Sequence, residues 1–220
     1  MYAFESSLKT LVWGTEQWLS PTESEFPLLV KFIETHMPLS IQVHPDDALA
    51  AERHHCLGKT EMWYVLDVEP GAYVYAGLTR SVSRDEVAAM VADGTITSVL
   101  RRCDVQKGDV VFLPAGCIHA LGPGLKVVEI QENSAITYRL YDYNRPGLDG
   151  KPRQLHVAEA MDAIDYAAHD ACYHYRPAAL HAGTGLLVDC DHFRAVLTDP
   201  HTIHVTYPGG DFDIDLTQQG

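Results

Sequence analysis

Side chains that can bind a metal ion recur in this sequence at a spacing that suits β-strands. Gln42 and His44 are two residues apart in SIQVHP, so on a strand both point to the same face, roughly 7 Å apart. Lys59 and Glu61 repeat this arrangement in GKTEMWYV. His119 ends the segment GDVVFLPAGCIH, whose glycines and proline predict that the chain turns around a strand and directs His119 back toward the same interior.

Two imidazoles, a carboxylate and a carboxamide together suit one divalent ion of borderline hardness. Zinc accepts nitrogen and oxygen ligands readily and keeps one position open for a substrate. Taken singly, each of these residues is more often a hydrogen-bonded or solvated side chain, and only the convergence of four positions on one interior favours a metal site. We therefore predict one zinc ion per chain, bound by Gln42, His44, Glu61 and His119.

The elements that must position these residues are predicted to be short β-strands. Runs such as FPLLVKFIE, EMWYVLDV and LKVVEIQ are separated by Gly and Pro at short intervals, which is typical of strands joined by turns. Short helices are expected over 46–56, 84–93 and 156–164, and Ser83 with Glu86 forms a capping box ahead of the second. The fold class is therefore all-β with a few short helices, a sandwich or barrel rather than a parallel α/β sheet.

Composition narrows the classes of partner. The chain has 220 residues and a formal net charge of −14, from 30 acidic and 16 basic side chains. Such a chain repels nucleic acid and anionic membranes, whereas a few local Lys and Arg side chains can still attract a small anion into one pocket. The five cysteines are scattered and form no CxxC pair, and no signal peptide or apolar span is found near Met1, so we expect reduced thiols and a cytoplasmic location.

Four sequence blocks resemble one family and occur in the order typical of it. They are QVHPDD (42–47), GKTEMWYVL (58–66), GDVVFLPAGCIHALGPG (108–124) and EIQENSAITYRLYDYNR (129–145). The third block looks like the second cupin motif, and the four together resemble the type I mannose-6-phosphate isomerases in their short bacterial form. The resemblance implies a cupin (jelly-roll) β-barrel over residues 1–166 that carries the metal site. A shortened C-terminal β segment over 167–220 is expected to pack on the same domain.

The family resemblance also implies an activity and a set of site residues. In the family, the residues at the positions of Gln42, His44, Glu61 and His119 hold zinc, as the spacing here predicts. Substrate-site roles are implied for Lys31, Lys59, Glu129 and Arg139, which stand at matching places in VKF, GKTE, VEIQ and TYRLYD. The implied reaction interconverts mannose 6-phosphate and fructose 6-phosphate through a cis-enediol.

The chemistry of that reaction gives these four residues separate interpretations. Moving a proton between C1 and C2 requires a base near the carbons, and the phosphate requires cations. Lys31 lies in the apolar run PLLVKFI, where burial near a cation would lower its pKa and make it a base, unless it is a lysine of an edge strand that reaches solvent. Arg139 either binds substrate or phosphate or pairs with a structural carboxylate such as Asp142, and Glu129 either assists the proton transfer or forms a salt bridge.

Two other functions remain open at the level of sequence. A non-catalytic, metal-bound cupin that senses sugar phosphates would keep the four ligands without turnover, and a cupin oxygenase would require a face of two histidines and one carboxylate on iron. The longer family members carry His-Lys-Pro-Glu where this chain has Gly58-Lys59-Thr60-Glu61. No residue of this chain therefore stands ready to take the role of that histidine. The expected partner is a small sugar phosphate, with no nucleic acid or membrane, and the chain is expected to be a monomer or a homodimer.

Overall fold

A computed structural model describes residues 4–21, 26–169, 173–176 and 184–217. These residues form three antiparallel β-sheets with three short α-helices, so the predicted all-β class is confirmed. In chain order the strands are β1 (Phe4–Leu11), β2 (Gly14–Pro21), β3 (Leu28–Thr35), β4 (Ile41–Val43), β5 (Glu61–Val68), β6 (Tyr73–Leu78), β7 (Leu100–Asp104), β8 (Val110–Leu113), β9 (His119–Leu121), β10 (Leu125–Glu132), β11 (Tyr138–Tyr141), β12 (His174–Tyr175), β13 (Gly185–Asp189), β14 (Arg194–Asp199), β15 (Thr202–Tyr207) and β16 (Gly210–Asp215).

The two larger sheets face each other as the halves of a cupin barrel. Seven strands pair in the order β1-β2-β3-β10-β5-β8-β12, and five pair in the order β11-β4-β9-β6-β7. Strands adjacent in space are mostly distant in the chain, as jelly-roll connections require. Apolar side chains from both inner faces, among them Trp63, Val65, Val74, Val111 and Leu121, form one buried cluster between the sheets.

The alternation of side chains along the central strands explains their near-continuous apolar runs. On β3, Val30 and Phe32 point to the outer face of the seven-stranded sheet, and Lys31 between them points into the barrel. Successive residues of a strand point to opposite faces, so a strand that is covered on both faces is apolar except where a polar group enters the site. Lys31 therefore interrupts an apolar run because it belongs to the barrel interior.

The three helices begin and end close to where the sequence places them. They are α1 (Asp47–His54), α2 (Arg84–Asp93) and α3 (Val157–Ala163). Asp46 caps α1 by accepting a hydrogen bond from Leu49 N at 2.8 Å, and the predicted capping box of Ser83 and Glu86 is present at α2. The helices α2 and α3 contribute buried side chains to the apolar cluster on the outer face of the five-stranded sheet.

The N-terminal residues form part of the seven-stranded sheet. The pair β1 and β2 is a hairpin whose second strand pairs with β3, so β1 is the edge strand of this sheet. The strands not predicted from sequence include this hairpin and the two-residue strand β12, which pairs with β8. No helix among the described residues has the length and apolar character needed to cross a membrane.

A four-stranded sheet, β13-β14-β15-β16, covers the outer face of the seven-stranded sheet. Its residues Leu187, Phe193 and Phe212 lie in the same buried cluster as Val30 and Met62 of the barrel. Aromatic rings join the two layers, because the ring centroids of Phe26 and Phe212 lie 5.3 Å apart and those of Phe26 and Tyr207 lie 5.1 Å apart. The core is thus shared by the barrel and this sheet.

This shared core predicts a single cooperative unfolding transition. Phe212→Ala should lower the free energy of unfolding by about 3–5 kcal/mol, the usual cost of removing a buried phenyl ring. Urea unfolding followed by near- and far-ultraviolet circular dichroism should show both signals shifting together. Leu186→Ala in the same sheet, where the side chain is 44% exposed, should change the free energy by no more than about 0.5 kcal/mol. A separate early transition in Phe212→Ala would contradict a shared core.

Candidate active site

One row of polar side chains crosses the inner face of the seven-stranded sheet. The strand register pairs Glu129 of β10 with Lys31 of β3 on one side and with Trp63 of β5 on the other. Side chains directly opposite on paired strands lie on the same face of the sheet. The backbone register alone therefore brings Lys31, Glu129 and Trp63 together inside the barrel.

Glu129 is the acceptor at the centre of this row. Its Oε1 accepts a hydrogen bond from Lys31 Nζ at 2.7 Å, and its Oε2 accepts one from Trp63 Nε1 at 2.8 Å. Lys59 Nζ lies 3.8 Å from Oε1. Burial and the charge of Glu61 raise the pKa of Glu129, but Lys31 and Lys59 outweigh them, so its pKa lies below the ordinary value. Glu129 is therefore a carboxylate held between two ammonium groups.

Lys31 is a fully interior residue. It is 5% exposed, on a strand with partners on both sides, so the alternative of a lysine on an edge strand is wrong. Its nearest polar neighbours are acceptors, Glu129 Oε1 and Gln131 Oε1, the latter at 2.5 Å. The expectation that a cation lies beside Lys31 is not met by its direct contacts, which are a carboxylate and a carboxamide.

A second row crosses the inner face of the five-stranded sheet. The register pairs Gln42 of β4 with His119 of β9 and with Arg139 of β11. Gln42 Nε2 lies 3.2 Å from His119 Nε2. The chain does turn after β8, so that His119, the first residue of β9, lies beside Gln42 on the neighbouring strand β4.

His44, Glu61 and His119 meet between the two sheets. Their candidate ligand atoms all lie within 4.8 Å of one another, and all three residues are buried. Glu61 Oε1 lies 3.2 Å from His119 Nε2, and Glu61 Oε2 lies 3.5 Å from His44 Nε2. The sequence therefore identified three groups that the fold brings together, with the Gln42 carboxamide adjacent to them.

The hydrogen bonds of the two imidazoles determine which nitrogens are free. His44 Nδ1 lies 2.9 Å from Ile136 O, and His119 Nδ1 lies 2.8 Å from Cys117 O. A carbonyl oxygen only accepts, so each Nδ1 carries the proton and each Nε2 presents a lone pair. Burial, followed by the charge of Lys59, lowers the pKa of His44 to about 3, which keeps this imidazole neutral. The same arrangement orients histidine ligands in metal sites.

The lone pairs of this cluster face one another. Both carboxylate oxygens of Glu61 are buried and receive no bond of hydrogen-bonding geometry from the described residues. Lys59 Nζ is the nearest positive group, 2.6 Å from Glu61 Oε2 and 3.1 Å from His44 Nε2. Burial opposes ionisation of Glu61, but Lys59 and the two histidines outweigh it and hold the pKa of the carboxyl well below its usual range. Acceptors this close to one another fit a cation between them.

Gly58, at the start of the segment that carries Lys59 and Glu61, lies against the N-terminus of α1. A Cβ at this position would come within 2.5 Å of Asp46 C and Asp47 N. Any side chain there would require the helix to move. The space where a histidine would stand is thus filled by backbone, so this chain has no place for that family residue.

The two rows form opposite walls of a cleft of about 430 Å³. Lys31, Gln42, Lys59, Glu129 and Arg139, all of them predicted site residues, line it. Five lining residues are basic and two are acidic, although the whole chain carries a net charge of −14. The potential is therefore locally reversed in favour of a small anion, as the composition allowed.

Arg139 lies in the cleft wall without a carboxylate partner among the described residues. Its Nε donates to Ser40 Oγ at 3.2 Å and its NH1 donates to Gln154 O at 2.7 Å. Asp142 instead pairs with Arg145 at 2.8 Å and with Arg153 at 2.6 Å. Among the described residues Arg139 therefore forms no direct ion pair with Asp142, although the charge of Asp142 still favours the charged guanidinium.

Residues of the N-terminal hairpin also line the cleft, and the sequence reasoning missed them. Lys9, Glu16 and Trp18 lie in its wall, with Lys9 Nζ 3.0 Å from the ring centroid of Trp18. The two-residue spacing of Glu16 and Trp18 is the signal that could have shown a common strand face. Trp63 is buried in the core and also donates a hydrogen bond to Glu129.

None of the four cysteines that the structure describes contributes to the cluster of His44, Glu61 and His119. Cys56, Cys103, Cys117 and Cys190 are free thiols, and Cys172 lies outside the described residues. Burial raises the pKa of the Cys117 thiol far above its ordinary value. This thiol is therefore a packing group beside His119 and not a thiolate ligand.

Comparisons with known proteins agree with this geometry. Residues 6–73 match the family model of phosphomannose isomerase type I, catalytic domain. The mannose-6-phosphate isomerase ManA of Bacillus subtilis (strain 168) is 40% identical over 141 residues, which make up 64% of this chain and 44% of that protein. The crystal structure of the mannose 6-phosphate isomerase from Bacillus subtilis superposes with a TM-score of 0.73 at 26% identity, over 94% of this chain and 79% of that chain.

A more distant solved structure shares the fold alone. It is a mannose 6-phosphate isomerase bound with zinc and yttrium, with a TM-score of 0.61 at 13% identity, covering 98% of this chain and 94% of that chain. The match to the curated Bacillus protein spans less than half of that protein's length. The family model, the sequence identity and the superposition together make this chain similar to the type I phosphomannose isomerases over its barrel-forming part.

Proposed function

We propose that this chain is an aldose–ketose isomerase that interconverts mannose 6-phosphate and fructose 6-phosphate. The observation that supports it best is that a cluster of metal-ligand type adjoins the Lys31–Glu129–Lys59 network of the cleft through Lys59. Isomerisation requires both parts, because one polarises oxygens and the other moves a proton between carbons. The relatives named as mannose-6-phosphate isomerases suggest which sugar phosphate is used.

The metal of the proposal is one zinc ion, held by His44 Nε2, His119 Nε2, Glu61 and Gln42. The two Glu61 oxygens lack a hydrogen-bond donor of good geometry among the described residues, and together with the two imidazole nitrogens they suit zinc, which binds nitrogen and carboxylate oxygen. The Gln42 carboxamide is adjacent, and rotating it by 180° would exchange its nitrogen for its oxygen as the ligand. A bound divalent ion supplies Lewis acidity toward the substrate oxygens.

The proton transfer of the proposal belongs to Lys31 or Lys59 with Glu129. The base must take the proton from C2, and the same proton or one from solvent must be delivered to C1 to give the ketose. Glu129 contacts Lys31 directly and lies 3.8 Å from Lys59, so a proton taken by any of the three can pass to another. The two lysines remain alternatives for the base.

The phosphate of the proposal binds to Arg139. It lines the cleft without a direct ion pair to a described carboxylate, and a guanidinium binds a phosphate through parallel hydrogen bonds. The same guanidinium could instead bind a developing oxyanion. We place the reaction in the cytoplasm, where the four free thiols of the described residues would stay reduced.

The metal part of the proposal predicts stoichiometric binding. Protein purified without chelator should contain one divalent ion per chain by elemental analysis, and His44→Ala or His119→Ala should lose most of it because three ligands leave a gap in the coordination. Cys56→Ser is the matched control, since that thiol lies outside the cluster, and should retain the wild-type metal content. Wild-type protein free of metal, or metal loss in Cys56→Ser, would mean that the ligand set is wrong.

Activity assays on the same purified protein distinguish the isomerase from the sensing cupin and the oxygenase. A coupled assay for fructose 6-phosphate should show turnover of mannose 6-phosphate that chelation abolishes and added zinc restores. Metal and sugar phosphate bound without turnover would indicate the sensing cupin instead. Activity that depends on iron and oxygen would indicate the oxygenase.

The proton-transfer part predicts separate outcomes for the two lysines. If Lys31 or Lys59 is the base, its substitution by Met should lower kcat by about two to four orders of magnitude, the usual scale of general acid–base catalysis. If the lysine only binds substrate, KM should rise while kcat changes little. Lys126→Met, which alters an exposed lysine of β10 paired with Glu34, is the control and should be unaffected.

Exchange of the C2 hydrogen of mannose 6-phosphate with solvent deuterium gives a second measurement of the base. A lysine variant that retains near-normal exchange is not the base. Retention by both Lys31→Met and Lys59→Met would assign the step to Glu129 or to water.

A further inference from the structure

Three consecutive N–H groups of the segment between α1 and β5 donate hydrogen bonds that fix its backbone. Gly58 N donates to Asp47 Oδ1 at 2.8 Å, Lys59 N donates to Pro45 O at 3.1 Å, and Thr60 N donates to Glu132 Oε2 at 2.6 Å. This segment carries Lys59 and leads directly into Glu61. Its backbone position therefore decides where both side chains lie relative to the two histidines.

Glu132 is the least exposed of the side chains that hold the segment. It is 3% exposed at the end of β10, and its own N–H donates to Thr60 O at 3.1 Å. One carboxylate oxygen, Oε2, is engaged by Thr60, and the other, Oε1, lies 3.1 Å from His192 Nδ1. A buried carboxylate needs partners at both oxygens to be held in one orientation.

His192 comes from the C-terminal sheet. It lies in the turn between β13 and β14, where Cys190 N donates to Phe193 O at 3.0 Å. Its side chain is 31% exposed. The contact with Glu132 is thus a polar link between the sheet that covers the barrel and the segment that carries Lys59 and Glu61.

The surroundings of this contact are acidic. Asp47, Glu132, Asp191 and His192 line a small cleft that has no lysine or arginine among its described lining residues. Burial and the neighbouring Asp47 raise the pKa of Glu132, while Thr60 N–H and His192 favour its charged form. His192 is therefore the cation-forming group nearest to the buried carboxylate.

We propose that His192 is a positioning residue of the active site: it fixes Glu132, which holds Thr60 and thereby sets Lys59 and Glu61 in place. Two of the measurements that test the proposal, zinc affinity and kcat/KM, rest on the proposed metal site and activity. The third, hydrogen exchange of the Thr60 amide, does not. The proposal gives the C-terminal sheet a part in the chemistry beyond covering the barrel. Neither His192 nor Glu132 touches the cleft that would hold the substrate.

The experiment compares three variants of the whole chain. His192→Ala removes the contact, His192→Asn keeps an N–H donor near the position of Nδ1, and His204→Ala is the matched control. His204 lies in the same sheet on β15, pairs with Asp213 through Nδ1 at 2.8 Å and is 36% exposed, but it has no link to the segment at Lys59. Thermal unfolding of all three shows whether the fold is kept.

The first measurement is hydrogen exchange of the Thr60 amide in metal-free protein. His192→Ala should accelerate it at least several-fold relative to wild type, His192→Asn should restore most of the protection, and His204→Ala should leave it unchanged. Zinc affinity by chelator competition and kcat/KM for mannose 6-phosphate should each fall about 10-fold in His192→Ala alone, the lower end of the effect of groups that orient metal ligands.

The outcomes that overturn the proposal are distinct from failure of the proposed function. Unchanged Thr60 exchange in His192→Ala, or equal acceleration in His204→Ala, would show that His192 only stabilises its sheet. Failure of His192→Asn to restore protection would have the same meaning. Asp47, Glu132 and His192 also have ligand atoms within 4.8 Å of one another, so a second bound ion that His192→Ala removes would replace the proposal. If the chain binds no metal and has no activity, the exchange measurement still decides.

Discussion

The structure depends on one buried charge. Glu61 is 0% exposed, and a carboxylate in that position is destabilising unless positive or donor groups surround it. The chain provides Lys59 two residues earlier, just before β5, and two imidazoles from the side of the five-stranded sheet, His44 directly after β4 and His119 on β9. Each imidazole is directed by a backbone carbonyl to present a lone pair, so the histidines satisfy Glu61 only when a cation lies among them. Facing acceptors repel one another when no cation lies between them, and a bound metal ion would remove this repulsion.

Glu129, on the neighbouring strand β10 of the seven-stranded sheet, is a second buried carboxylate that positive groups surround. It lies between two ammonium groups and an indole N–H, and the charges of Lys31, Lys59, Glu61 and Glu129 sum to zero. A divalent ion would make this set of charges doubly positive, and Arg139 adds a further charge in the wall. A chain of net charge −14 can therefore attract a phosphate ester to one place while it repels polyanions elsewhere.

Much of this could be predicted from sequence because the register of a sheet follows from simple rules. Two-residue spacing places Gln42 with His44 and Lys59 with Glu61, and the interruption of an apolar run identified Lys31 as unusual. The contribution of the hairpin that carries Trp18, and the contact of His192 with Glu132, could not be predicted in this way. Both join residues far apart in the chain through the packing of separate layers, which no local periodicity encodes. The partner of Arg139 could not be predicted for the same reason. Asp142 pairs with Arg145 and Arg153 instead, and the sequence pattern does not show which arginine reaches it.

The layered order of the fold explains why the site is at the centre of the molecule. Strand β10 has the barrel interior on one face and the C-terminal sheet on the other, so Glu129 and Glu132, three residues apart, serve different layers. Glu129 faces the reacting groups, whereas Glu132 at the strand end reaches the backbone that supports them. The N–H of Thr60 and the imidazole of His192 meet at the two oxygens of Glu132, so the strand that lines the cleft also joins the C-terminal sheet to the segment that carries Lys59 and Glu61.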